Sequence, residues 1–111
     1  MSRRTEESKR VKAILDYLQY RRVFAWRQNN IAVPSVDGFR SFVGMRGLPD
    51  IIGVLPGGVF LGIEVKSKTG RQSKHQKEFQ KNLERLGGVY ILARCVDDVE
   101  KGLSKYFGGE K

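Results

Sequence analysis

The alternation of apolar and polar residues divides the chain into elements of two periods. From Glu6 to Arg22, Val11, Ile14, Leu15 and Leu18 recur at helical spacing behind Thr5; this predicts an amphipathic helix with Thr5 as its N-cap. Val23 to Gln28 reads as a strand. Residues 29 to 47, with Pro34 and several glycines, read as a loop holding one or two short extended pieces. Asp50 to Leu55 and Val59 to Lys66 are predicted strands joined by Pro56-Gly57-Gly58, a strong turn signal. Ser73 to Leu86 is an amphipathic helix ended by Gly87-Gly88. Gly88 to Arg94, GVYILAR, is short and nearly continuously apolar, as a buried strand is. Asp97 or Asp98 is the expected cap of a last helix running to about Tyr106. The order, α-β-β-β-α-β and a final helix, implies an α/β fold with a mixed central sheet flanked by helices.

Length and charge narrow the picture. The 111 residues contain no internal repeat or linker, which suits a single domain over 1–111. The charged start MSRRTEESKR lacks an apolar stretch behind it, so no secretory signal is expected. Apolar runs are far shorter than the roughly 20 residues that cross a bilayer, so no membrane partner is expected. Cys95 is the only cysteine, which excludes an internal disulfide and suits a reducing cytoplasm. With 21 Lys and Arg against 12 Asp and Glu, the net charge is +9. Basic residues spread along the whole chain point to a polyanionic partner, nucleic acid above all.

The chemistry concentrates where the predicted strands end. Side chains alternate along a strand, so Glu64 and Lys66 share a face with Phe60 and Gly62, while Val59, Leu61, Ile63 and Val65 line the other. A three-residue turn pairs Leu55 with Val59 and sets Asp50 opposite Glu64; a two-residue turn would set Pro49 there instead. Opposed carboxylates have Cβ atoms about 4.5–5.5 Å apart. In apolar surroundings they repel unless one takes a proton or a cation sits between them. Mg²⁺ is such a cation, with waters and phosphate oxygens completing its shell. The competing arrangement is a salt-bridged cluster in which Lys66 neutralises one of the acids.

Pro49-Asp50, a hairpin, then Glu64-Val65-Lys66 resembles the signature of the PD-(D/E)xK nucleases. The longer string GLPDIIGVLPGGVFLGIEVKSKTGRQSKHQKEFQ, followed by GGVYILARCVDDV and preceded by AWRQNN, resembles the small stand-alone form of the VRR-NUC domain. The resemblance covers nearly the whole chain and implies a PD-(D/E)xK restriction-endonuclease-like core.

It also implies roles. Asp50 and Glu64 would bind Mg²⁺ or Mn²⁺, with the backbone carbonyl of Val65 as a further ligand. Lys66 would stand beside the attacking water, either orienting and deprotonating it or stabilising transition-state charge. The family tends to place another acid of the first helix near the metal. Glu6 and Glu7 compete for that role, and Glu7 is preferred because it shares a face with Val11, Ile14 and Leu18. Gln76 matches a glutamine that supports the site, yet Ser73-Lys74-His75-Gln76 is also a capping box. Arg27, Lys68, Arg71 and Lys74 are candidates for phosphate contacts, which position DNA without reading sequence. Trp26 is expected in the core rather than as a stacking platform.

The expected function is a metal-dependent, structure-selective DNA endonuclease acting on branched DNA such as Holliday junctions, in the cytoplasm of a bacterium or phage-infected cell. Two symmetric cuts of a junction imply a homodimer. The alternative is a basic nucleic-acid-binding module without catalysis. A sequence-specific restriction-type nuclease would need more chain for base readout.

Overall fold

The computed structural model describes residues 3–28, 32–34, 40–42 and 46–107. The chain forms α1 (Arg3–Tyr20), β1 (Phe24–Arg27), β2 (Ala32–Pro34), β3 (Arg40–Phe42), β4 (Ile51–Leu55), β5 (Val59–Val65), α2 (Lys74–Arg85), β6 (Val89–Ala93) and α3 (Val96–Leu103), with a 3₁₀ turn at Ser104–Phe107. It is an α/β fold. β2 and β3 pair with each other, which accounts for the extended pieces expected between residues 29 and 47. The remaining strands form a mixed sheet in the order β1-β4-β5-β6, antiparallel except between β5 and β6. No helix among the described residues is long and apolar enough to cross a membrane.

Strand alternation assigns each face its cover. Ile51 and Leu55 of β4, Leu61, Ile63 and Val65 of β5, and Ile91 and Ala93 of β6 point to one side. There they pack against Val11, Ile14 and Leu18 of α1 and Val99 and Leu103 of α3. This is the core, and burying each such side chain contributes about 1.5–3 kcal/mol. On the other face α2 lies over β5 and β6. Phe79 sits between Phe60 and Tyr90, with ring centroids 6.5 Å from each. None of the α2 residues is fully buried, so it is a half-wetted cover, and any polar side chain on this face of β5 lies beneath it.

Two helices end alike by different means. At the end of α2, Gly88 donates to the Leu83 carbonyl and Gly87 to that of Glu84, with Gly87 at φ 90°. At the end of α1, Val23 donates to Leu18 and Arg22 to Gln19. This is the same Schellman geometry, but Arg22 takes the left-handed position at φ 61°.

The caps correct the sequence reading in two places. α1 begins at Arg3, so Thr5 lies inside it instead of capping it. The N-cap of α3 is Cys95, and Asp98 bonds back from inside the first turn to the Arg94 amide at 2.9 Å. Short polar residues near a helix start serve equally well one turn in, where their charge meets the helix dipole. The last helix also stops at Leu103 and tightens into the 3₁₀ turn.

A left-handed Arg costs about 1–2 kcal/mol relative to Gly, less what a more flexible unfolded chain gives back. Arg22→Gly should therefore raise the unfolding free energy by about 0.5–1 kcal/mol, while Gly87→Ala should lower it by about 1 kcal/mol. Denaturant titration of the two variants reads both signs.

Candidate functional site

The Pro56-Gly57-Gly58 connection pairs Leu55 with Val59, and the ladder runs back to Ile51 opposite Ile63. One step further, Asp50 lies at the mouth of the hairpin beside Glu64. Three small details hold it there. Gly47, at φ 79°, passes so close to α2 that a Cβ on it would stand 2.4 Å from the His75 carbonyl oxygen. Pro49 is fully buried and occupies the space Gly62 leaves empty, since a Cβ there would meet Pro49 Cγ at 2.7 Å. The backbone carbonyl of Asp50 accepts from the Gln28 amide at 2.7 Å, which ties it to the end of β1. The Asp50 carboxylate, so positioned, accepts from the Val65 amide at 2.8 Å.

Glu64 is only 3% exposed. Its Oε2 accepts from Gln76 Nε2 at 2.9 Å and lies 3.8 Å from Lys66 Nζ. Its Oε1 is buried with no hydrogen-bond partner among the described residues. The side chain is therefore half satisfied, and an unpaired buried carboxylate oxygen is costly. Burial above all, then the Asp50 charge and a side-chain hydrogen bond with Asp50, drives the Glu64 carboxyl from 4.5 up to about 9; Lys66 opposes this and Glu7 adds least to it. The Lys66 ammonium is partly exposed, at 17%, so water screens much of what it offers. At neutral pH, with nothing else in the site, Glu64 holds a proton that it can donate towards Asp50.

Gln76 performs both roles that the sequence left open. Its Oε1 accepts from the Ser73 amide at 2.8 Å while its own amide donates to Ser73 Oγ at 3.2 Å. The side-chain oxygen is thereby committed, and only the NH₂ can turn to Glu64. The capping box of α2 is what orients the donor.

Other predicted residues fall around this pair. Val65 points its side chain into the core, so only its backbone is available to the site. Glu7 is exposed, yet of the two helix acids it is the one whose charge acts on Glu64. Glu6 instead lines a separate hollow with Arg10 and Arg94. Arg27 is exposed at the end of β1, one residue before Gln28. Lys68 and Arg71 are exposed along the segment leaving β5, and Lys74 is exposed at the start of α2.

That segment is anchored by residues the sequence did not single out. The Arg94 guanidinium donates to the carbonyls of Ser67 and, at 2.8 Å, Gly70. Gln72 donates to Gln80 at 2.9 Å and to the Tyr90 hydroxyl at 3.1 Å. Only an arginine closing an otherwise apolar strand hinted at the first of these. Trp26 is a correction: it is 41% exposed, because β1 is the outer strand and α2 does not reach its face. No family model, curated protein or solved structure matches the chain.

Among the described residues, no three His, Cys, Asp or Glu side chains converge as a closed metal site. The hard oxygen donors within reach of one another are the carboxylates of Asp50 and Glu64, and Lys66 Nζ lies 3.8 Å from Glu64. This arrangement can bind a cation between two acids and a phosphate next to it.

The raised Glu64 value has a sign. The folded chain keeps a proton that the unfolded chain releases near 4.5, so this contribution to stability is complete below that pH. It is lost progressively as pH rises to about 9. In metal-free buffer, the parent's unfolding free energy should fall across that window with an added slope of up to about 1.4 kcal/mol per pH unit. Glu64→Gln should remove the added slope; an unchanged slope in that variant would show that Glu64 is ionised throughout.

Proposed function

We propose that this chain is a divalent-metal-dependent DNA endonuclease of the PD-(D/E)xK class, of VRR-NUC type, acting on branched DNA. The observation that carries the reading is the partnerless buried Oε1 of Glu64 beside Asp50. Lys66 lies 3.8 Å from Glu64 Oε2 and leaves Oε1 unpaired, so only a proton shared with Asp50 or a cation between the two acids completes the pair.

Asp50 and Glu64 would hold Mg²⁺ or Mn²⁺, with the Val65 carbonyl as a backbone ligand. Glu7, preferred from the sequence as a third acid, does not converge with them in this structure and would act on the ion through its charge. Two carboxylates leave most positions of such an ion to water and phosphate oxygens, which suits Mg²⁺ better than a closed cage does. Bound there, the ion supplies Lewis acidity for hydrolysis of a phosphodiester, leaving 5′-phosphate and 3′-hydroxyl ends.

The chain's own residues do the rest. Gln76 keeps Glu64 pointed at Asp50. Lys66 brings a positive charge to the same opening, to orient a water or to offset charge on the phosphate. Arg27, Lys68, Arg71 and Lys74 grip phosphates on either side. Their contribution falls steeply with salt and carries no sequence preference. A four-way junction cut twice would be met by a homodimer, whose two-fold axis matches that of the substrate.

Four-way junction, flap and linear duplex DNA incubated with Mg²⁺ or Mn²⁺ should be cut, with branched forms preferred, and EDTA should abolish cutting. Asp50→Asn and Glu64→Gln should each lose at least about a thousandfold in rate. Without metal, Asp50→Asn should bind DNA as tightly as the parent or tighter, since a negative charge has gone, and Glu64→Gln should bind as the parent does, since Glu64 is already protonated there. Lys66→Ala should lose cleavage while binding metal. A non-catalytic binding module would leave every DNA intact in every metal, and that result would overturn the proposal.

A further inference from the structure

α2 leaves part of its face of the sheet uncovered. Among the described residues the exposed part is the outer strand and the hairpin end, while Ile52 of β4 beside them is buried. Phe24 is 70% exposed, and Val54 and Phe60 are 37% exposed. The register orders this open face in rows. Phe24, Val54 and Phe60 form one row, and Trp26, Ile52 and Gly62 form the next. The following row, by the same alternation, is Gln28, Asp50 and Glu64, joined by the Gln28–Asp50 hydrogen bond. Successive rows on a face are about 6.6–6.8 Å apart. The aromatic rings therefore stand on the same face as the carboxylate pair and run directly up to it.

Exposed rings in line with a phosphodiester site have a specific use. Phe24 and Trp26 are neighbours, with centroids 5.3 Å apart, so they form one continuous aromatic surface. The hollow along the free edge of β1 that contains them runs round to Leu15 and Gln19 of α1. It is also lined by Arg22 and Arg27, one beyond each end of the ring pair, and by no acidic residue among the described ones. Arg27 alternates to the α1 side, so its long side chain meets a bound strand from that edge. A second copy laid symmetrically on this hollow would bring arginines against arginines with nothing to neutralise them. A nucleic-acid strand satisfies both features, since its bases stack on the rings and its phosphates meet the guanidinium groups. Paired bases inside a duplex keep their faces covered, so only unpaired nucleotides can use such a surface.

We propose that the Phe24–Trp26 face is a stacking platform for unpaired nucleotides of a DNA strand, which it delivers to the Asp50–Glu64 site. The binding stands on the exposed face alone, and the delivery rests on the nuclease reading. Among branched DNAs, the platform selects those with a single-stranded segment next to the cut, such as flaps, over junctions in which every base is paired.

Trp26 is the only tryptophan, so its emission reports directly on the platform. In EDTA, oligothymidylate should quench that emission. Phe24→Ala should weaken oligothymidylate binding by about tenfold while leaving affinity for blunt duplex unchanged, and Phe24→Tyr should restore it. Phe24 is exposed, so the fold should tolerate both changes, which thermal melts verify. With Mg²⁺, Phe24→Ala should lose flap cutting selectively.

Absence of quenching would overturn the proposal, as would an equal loss on duplex. So would an emission change that follows protein concentration without DNA, because a second copy would then occupy the face. Quenching by oligothymidylate in a parent that cuts no DNA would sink the nuclease reading and leave the platform standing. Cutting without quenching would sink the platform alone.

Discussion

A glutamate has been placed where a carboxylate does not belong. Glu64 sits in the middle layer between the sheet and α2, opposite another acid, and one of its oxygens has no partner among the described residues. Repulsion between like charges in a dry setting is strong. Only a proton or a cation relieves it, and the surrounding structure holds the two acids together despite the cost. Gly47 and Gly62 are small so that Pro49 and the first turn of α2 can close around Asp50. Gln76 is both cap and donor. Local departures from what stability alone would choose collect at this one place, as they do at functional sites.

The two faces of the sheet divide the work. The α1–α3 face is filled with aliphatic side chains and supplies the hydrophobic stabilisation. The α2 face gives up part of that burial. It carries the carboxylates at one end, a half-wetted helix over the middle and exposed rings at the outer strand. A mixed sheet makes this feasible: the antiparallel hairpin brings Asp50 beside Glu64, and the parallel β5–β6 pair lets α2 cross over them. Arg94, at the end of β6, then pins the basic segment that leaves β5.

Much of this was legible in the residues, and the limits have physical causes. The Pro-Gly-Gly turn left two registers open, and the observed pairing of Leu55 with Val59 selects the three-residue turn that opposes Asp50 and Glu64, since one residue fewer would flip every side chain. Helical spacing preferred Glu7 to Glu6; in the structure Glu7 acts on Glu64 only through a small charge effect and does not converge with the carboxylate pair. The dual role of Gln76 was visible as two separate patterns, but their compatibility needed three-dimensional geometry. Strand order is a tertiary fact, so nothing local marked β1 as the outer strand or Trp26 as exposed. The Arg94 and Gln72 contacts join residues far apart in sequence, and no spacing rule records them. Thr5, Asp97 and Asp98 misled because a residue that suits a cap also suits a first turn.

On the proposed nuclease reading, a divalent cation completes the carboxylate pair and displaces the proton from Glu64. Calorimetric titration of Mn²⁺ into the metal-free protein at pH 7, repeated in buffers of different ionisation enthalpy, counts the protons released on binding. The account predicts about one proton released per ion by the parent, and loss of both the proton and most of the affinity in Glu64→Gln. Binding that releases no proton, or equal binding by the variant, would contradict it.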